Sequence, residues 1–91
     1  MKEESLKELA EVIARCEDKE LIADFLGALL TPHELGEVTS RWALVRLIDE
    51  KMSQREIAER LGMSLCKITR GSREYQKTDS PFRKMIDLYK K

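Results

Sequence analysis

The residues best suited to do chemistry lie between Met52 and Lys77, where Cys66, Arg70, Arg73 and Lys77 recur at intervals of four, three and four. On a helix that spacing gathers them on one face, and a row of cations on one face suits contact with phosphates. Leu65, Ile68 and Tyr75 fall on the other side, an apolar back that would fix the angle of the helix. A basic front on an apolar back is the division needed by a helix that lies in the major groove of DNA. Two amphipathic helices with a merely solvated charged face would show the same division. No Ser-His-Asp set, metal-ligand cluster or phosphate-binding loop accompanies these residues, so the sequence points to binding and away from an enzyme.

The residues just upstream are arranged to hold that helix. Ser53 is a good N-cap, and Glu56 three positions later completes a capping box. Ile57 and Leu61 repeat on one face, while Ala58 offers only a methyl where a second helix must cross closely. Gly62 suits the left-handed conformation at a helix end, and Ser64 can cap the next helix. Residues 53–77 are therefore predicted to form a helix-turn-helix whose turn is Gly62, Met63 and Ser64. Gly71 breaks the pattern, since a glycine inside a helix costs roughly 1 kcal/mol relative to alanine. It falls at the border of the apolar face, one turn from Lys67 and beside Glu74. The notch it leaves suits a flat ligand or the close approach of another helix, and spacing alone does not choose.

Four further helices are predicted around this unit. From residue 3 to 16, Leu6, Leu9, Ala10, Ile13 and Cys16 form one apolar stripe. After a polar joint in which Asp18 is a possible cap, Leu21, Ile22, Phe25, Leu26, Leu29 and Leu30 form a broader one. So wide an apolar face on so short a helix implies burial on more than one side, as in an intertwined dimer. Thr31-Pro32 with Glu34 starts the longest helix, reaching about Glu50, with Leu35, Val38, Trp42, Val45 and Asp49 down one side and Leu44, Leu47 and Ile48 widening it. Trp42 suits either the core or the wall of a ligand pocket. His33, alone of its type, is expected to be solvated. Ser80-Pro81 starts a last helix carrying Phe82, Met85, Ile86 and Tyr89.

Ninety-one residues make one domain, small enough for a partner to finish its core. No apolar run approaches the ~20 residues of a membrane span and no secretory leader is evident, so the chain is expected to be cytoplasmic with reduced thiols. Cys16 is then a small buried residue and Cys66 a free thiol near the binding surface. The formal net charge is zero, which at first opposes nucleic-acid binding. Its distribution reverses that: residues 1–36 hold four Lys and Arg against nine Asp and Glu, residues 51–91 eleven against five.

The run Met52-Ser53-Gln54-Arg55-Glu56, followed by Ile68-Thr69-Arg70-Gly71-Ser72 and preceded by Leu29-Leu30-Thr31-Pro32, Glu34 and Ser40-Arg41, resembles the signature of the tryptophan repressor family over about residues 26–77. The resemblance implies an all-α, six-helix intertwined homodimer that represses transcription at double-stranded operator DNA of tryptophan-related genes, its two reading heads about one DNA turn apart. It implies L-tryptophan as a non-covalent corepressor and no metal. At matching positions, Arg70 would lie against the indole and pair with the carboxylate, Gly71 would give the ring room, and Leu30 with nearby carbonyls would receive the amino group. Thr31 and Arg41 would come from the other chain, Arg41 covering the opposite face of the indole. For DNA the matching residues are Gln54, Arg55, Ser64, Leu65, Cys66, Lys67 and Thr69, to which the basic stripe adds Arg73.

The chain departs from the family at several of these places. Glu74 stands where the family has a serine that meets the ligand's amino group, Lys67 replaces a smaller polar residue, and Ala58 replaces a basic phosphate contact. The connection into the helix-turn-helix is one residue shorter. A regulator of the same family that is ligand-independent, or that uses a different small molecule, is therefore the alternative expectation. An interaction module without DNA binding is a third, distinguished by DNA retention that does not depend on salt.

Overall fold

A computed structural model describes all 91 residues and contains six helices and no strands. They are α1 (Lys2–Arg15), α2 (Lys19–Leu29), α3 (Pro32–Asp49), α4 (Gln54–Leu61), α5 (Leu65–Gln76) and α6 (Pro81–Lys90).

Most starts and stops have local causes. Asp18 accepts hydrogen bonds at 3.1 Å from the backbone N–H groups of Glu20 and Leu21, which opens α2. Thr31 and Glu34 complete a reciprocal capping box: the Thr31 N–H donates to Glu34 Oε1 at 2.9 Å, and the Glu34 N–H donates to Thr31 Oγ1 at 3.1 Å. The Thr31 backbone N–H, and then its hydroxyl, hold the Glu34 carboxyl below its ordinary pKa. Ser53, Ser64 and Ser80 cap α4, α5 and α6 through their hydroxyls, each of which accepts one backbone N–H. Gly62 ends α4 at φ 64°, the left-handed region that favours glycine. The end of α3 uses Lys51 for the same purpose at φ 65°, with its N–H bonded to the Ile48 carbonyl and that of Met52 to the Leu47 carbonyl.

The chain divides into two compact units, Met1–Leu35 and Gly36–Lys91. In the first, neither α1 nor α2 buries a side chain. The predicted stripes are present but uncovered, with Leu6 65%, Leu21 56% and Leu29 51% exposed. Cys16 was expected to be buried; it is only half-buried because nothing in the unit closes over it, and its thiol contacts the Asp18 carbonyl at 3.5 Å.

The second unit holds the core. Leu44 and Leu47 of α3, Ile57 of α4 and Ile68 of α5 are buried together, with Ile48, Met52, Ala58, Leu61 and Met63 packed around them. Val45 and, in α6, Ile86 are also buried. Leu65 departs from the expected apolar back: as the first residue of α5 it projects away from the core and is 57% exposed. Met85 and Tyr89 of α6 are likewise exposed. Trp42 is neither fully in the core nor in a pocket wall; it meets the Tyr89 ring edge-on at 5.8 Å, and Arg46 lies over that ring's face.

Asp49, placed by periodicity on the apolar side of α3, is a polar anchor for three helices. The Tyr75 hydroxyl of α5 donates to its Oδ1 at 2.5 Å, and Lys90 Nζ of α6 lies 2.6 Å from its Oδ2. The Lys90 contact first, and the Tyr75 hydrogen bond second, pull the Asp49 carboxyl below its ordinary pKa. The same contacts with Asp49 raise the pKa values of Tyr75 and Lys90.

Candidate ligand cleft and nucleic-acid interface

The packing of α4 and α5 against α3 leaves two concave surfaces on the second unit. The deeper is a cleft of about 480 Å³ between α3, the α4–α5 turn and α5, with Phe82 also in its lining. Arg41 and Glu37 line it from α3, Ser64 from the turn, and Lys67, Arg70, Gly71 and Glu74 from α5. The shallower runs along the outer face of α5 over Leu65, Cys66, Thr69, Arg70, Arg73, Glu74 and Lys77.

Gly71 resolves the two readings left open by its spacing. It is buried, and a Cβ built on it would stand 2.9 Å from Leu44 Cδ2 and 3.6 Å from Ile48 Cδ1. The missing side chain is therefore where α5 approaches α3, and Leu44 occupies the notch from below. The cleft opens beside this contact, so the backbone at Gly71 is both a packing surface and a cleft wall.

The cleft is densely charged. Glu37 is shared between Arg41, at 3.5 Å, and Lys67, at 3.6 Å. Glu74 binds Lys77 at 2.8 Å. Arg70 is exposed and has no carboxylate partner, and it lines both surfaces. An unpaired guanidinium in a cleft with apolar walls from Leu44, Val45 and Leu61 suits a flat, partly apolar molecule carrying a carboxylate.

Arg41, Arg70, Gly71 and Glu74 are thus brought together, and one chain suffices to do so. Within the single chain Arg41 lines the cleft, one turn after Glu37 on α3; the expectation that it serves a second chain's site concerns the dimer. Leu30 and Thr31 belong to the first unit, at the junction of α2 and α3, and the cleft's lining includes neither. Leu30 caps the end of α2, and Thr31 is occupied by its capping box.

Of the expected nucleic-acid residues, Leu65, Cys66, Thr69 and Arg73 share the outer groove of α5. Gln54 and Arg55 open α4 and are exposed; the Thr69 hydroxyl donates to Gln54 Oε1 at 3.1 Å, which ties the start of α4 to α5. The Ser64 hydroxyl is engaged as the α5 cap and faces the cleft. Lys67 departs most from expectation, because Glu37 draws its ammonium over the cleft and away from the outer groove. Glu37 and Leu44 were not anticipated as site residues. The Glu37–Arg41 spacing of one turn was a readable signal; the contacts of either residue with α5 were not, since they join distant parts of the chain.

Residues 4–89 match the family model described as Trp repressor protein. A Trp operon repressor homolog of Chlamydia caviae is 34% identical over 77 residues, covering 84% of this chain and 76% of that protein. One from Chlamydia trachomatis serovar L2 is 31% identical over 74 residues, covering 80% and 79%. One from Vibrio campbellii is 32% identical over 84 residues, covering 90% and 84%. No solved structure matches the chain.

Proposed function

The chain belongs to the Trp repressor family, and from that premise we propose that it is a DNA-binding transcriptional repressor activated by L-tryptophan. The observation that carries this reading is the cleft in which unpaired Arg70, Arg41 and the bare backbone of Gly71 meet directly behind the outer face of α5. A planar amino acid there would place its carboxylate on Arg70 and its ring between guanidinium planes, a geometry that both attraction to carboxylates and stacking favour. Filling the cleft would brace α5 against α3 and set the angle at which its outer face meets the groove of operator DNA.

In this reading α4 and α5 are a helix-turn-helix. Leu65, Cys66 and Thr69 reach base edges, and Arg55 and Arg73 meet phosphates. Gln54 buttresses Thr69 from the side. Two copies act together, because the uncovered apolar faces of α1 and α2 suit a second copy of the same chain in an intertwined homodimer.

Two observations favour a second reading. Leu44 already fills the space beneath Gly71, and Glu37 and Glu74 add negative charge to the cleft. A related regulator whose ligand is not tryptophan, or that needs none, accommodates both facts.

Calorimetric titration with L-tryptophan, paired with DNA retention across a salt series, tests the proposal. Ligand and DNA should each raise the affinity for the other by one common factor, because linkage is reciprocal. DNA affinity indifferent to L-tryptophan would leave the second reading, and salt-independent retention would remove both.

A further inference from the structure

Glu37 stands on α3 with its carboxylate between two cations, Arg41 one turn along the same helix and Lys67 across the cleft on α5. The Lys67 pair joins two helices. Lys67 is the third residue of α5, directly after Cys66, and its flexible stem can carry the ammonium to either side of the helix. In the structure it goes to the cleft, and the outer groove is lined without it. The pair therefore removes one positive charge from the face on which Arg73 lies.

Building on the DNA and corepressor reading above, we propose that Glu37 is a positioning residue that couples the cleft to the nucleic-acid face. It holds the Lys67 ammonium against α3 until an anionic group enters the cleft. A carboxylate bound at Arg70 shares the cleft with Glu37, repels it, and competes with it for Arg41 and Lys67. Lys67 is then released to a DNA phosphate. The lock is weak by design of its surroundings: Glu37 and Lys67 side chains are 33% and 54% exposed, and such pairs bias an equilibrium by about twofold to fivefold.

The test uses the full chain, a generic duplex of DNA, a salt series, and L-tryptophan as the probe of the cleft. Glu37→Gln should raise affinity without L-tryptophan by about twofold to fivefold, with circular dichroism unchanged. It should steepen the logarithmic salt dependence by about 0.9 for each lysine released, and shrink the gain on adding L-tryptophan by the factor already won. Glu37→Asp, which keeps the charge on a side chain one methylene shorter, should fall between the parent and Glu37→Gln. In a Lys67→Gln background, Glu37→Gln should change neither affinity nor slope.

An equal effect of Glu37→Gln with and without Lys67 would overturn the proposal, since the lost negative charge alone would then explain it. So would an unmoved slope in a parent that retains DNA and responds to L-tryptophan; that result leaves the reading of the previous subsection standing. A parent that retains no DNA at any salt, or ignores L-tryptophan, fails that reading first and removes this proposal with it.

Discussion

Residues 1–35 and 36–91 use apolar side chains to opposite ends. The second unit buries six of them below a tenth of their surface, drawn from α3, α4, α5 and α6, and the helices that contribute them are individually rather polar. The first unit contains α2, the most apolar helix of the chain, yet neither it nor α1 buries anything. Burial thus follows from crossing geometry, since Ala58 of α4 packs on the buried cluster and α5 meets α3 at Gly71, where a missing side chain lets the helices approach. An apolar face without such a crossing needs cover from outside the chain. One half closes a core of its own, and the other leaves its apolar faces open.

The largest test of that contrast compares Ile68→Ala with Leu29→Ala. Ile68 is fully buried, so its truncation should cost about 3 kcal/mol in denaturant unfolding at any protein concentration. Leu29, half exposed in the single chain, should cost under about 0.5 kcal/mol if the protein is a monomer. In the intertwined dimer it should cost 2 kcal/mol or more, roughly a core value, and lower the association constant measured by sedimentation. A stable folded monomer at micromolar concentration would break the comparison.

Gly71→Val sharpens it from the side of the second unit. Its branches must displace Leu44, so the variant should lose about 1 to 3 kcal/mol and lose its response to cleft ligands, while its oligomeric state remains that of the parent. A ligand response equal to the parent's would show that the cleft does not feel this contact.

A smaller effect belongs to the anchor of α3, α5 and α6. Asp49 has a lowered pKa in the folded chain, so its contribution is complete above the unfolded-state value and drains away as pH falls through the folded-state one. Tyr75 and Lys90 are raised, so theirs is complete below their unfolded-state values and is lost at alkaline pH, as pH rises through the folded ones. Tyr75→Phe should cost about 1 kcal/mol at neutral pH and reduce the loss of stability on acidification below the ordinary aspartate range. Equal acid sensitivity in parent and variant would remove the Tyr75 hydrogen bond from that role and leave Lys90 as the partner that holds Asp49 ionised.

Lys51→Gly should have the smallest effect and the opposite sign. Lysine in the left-handed region at φ 65° is strained, and glycine there should raise the denaturation midpoint, by roughly 0.5 to 1 kcal/mol.

Helix starts were legible in the sequence because a cap and its partner are two or three residues apart: Asp18, Thr31, Ser53, Ser64 and Ser80 all act where expected. The stripes of α1 and α2 were legible as patterns, but a pattern does not state what covers it. What sequence could not supply was the direction of long side chains and the ownership of space between distant helices. Lys67 and Glu37 are thirty residues apart, Tyr75 and Asp49 twenty-six, and neither pairing leaves a periodic trace. Arg41 lines a cleft of its own chain, and periodicity alone could not say so, because it gives a face without saying whose groove that face lines.

The close approach at Gly71 also carries a consequence for how this sequence can drift. Leu44 and Gly71 divide one slot between two helices, with 2.9 Å separating Leu44 Cδ2 from the place a Cβ would take. Volume added at one position must be surrendered at the other for the slot to stay filled without strain. Substitutions at 44 and 71 should accordingly be conditional on each other, alanine at 71 fitting better beside valine at 44 than beside leucine. Across relatives, the pair should vary in concert, large with small, like two ends of a single side chain.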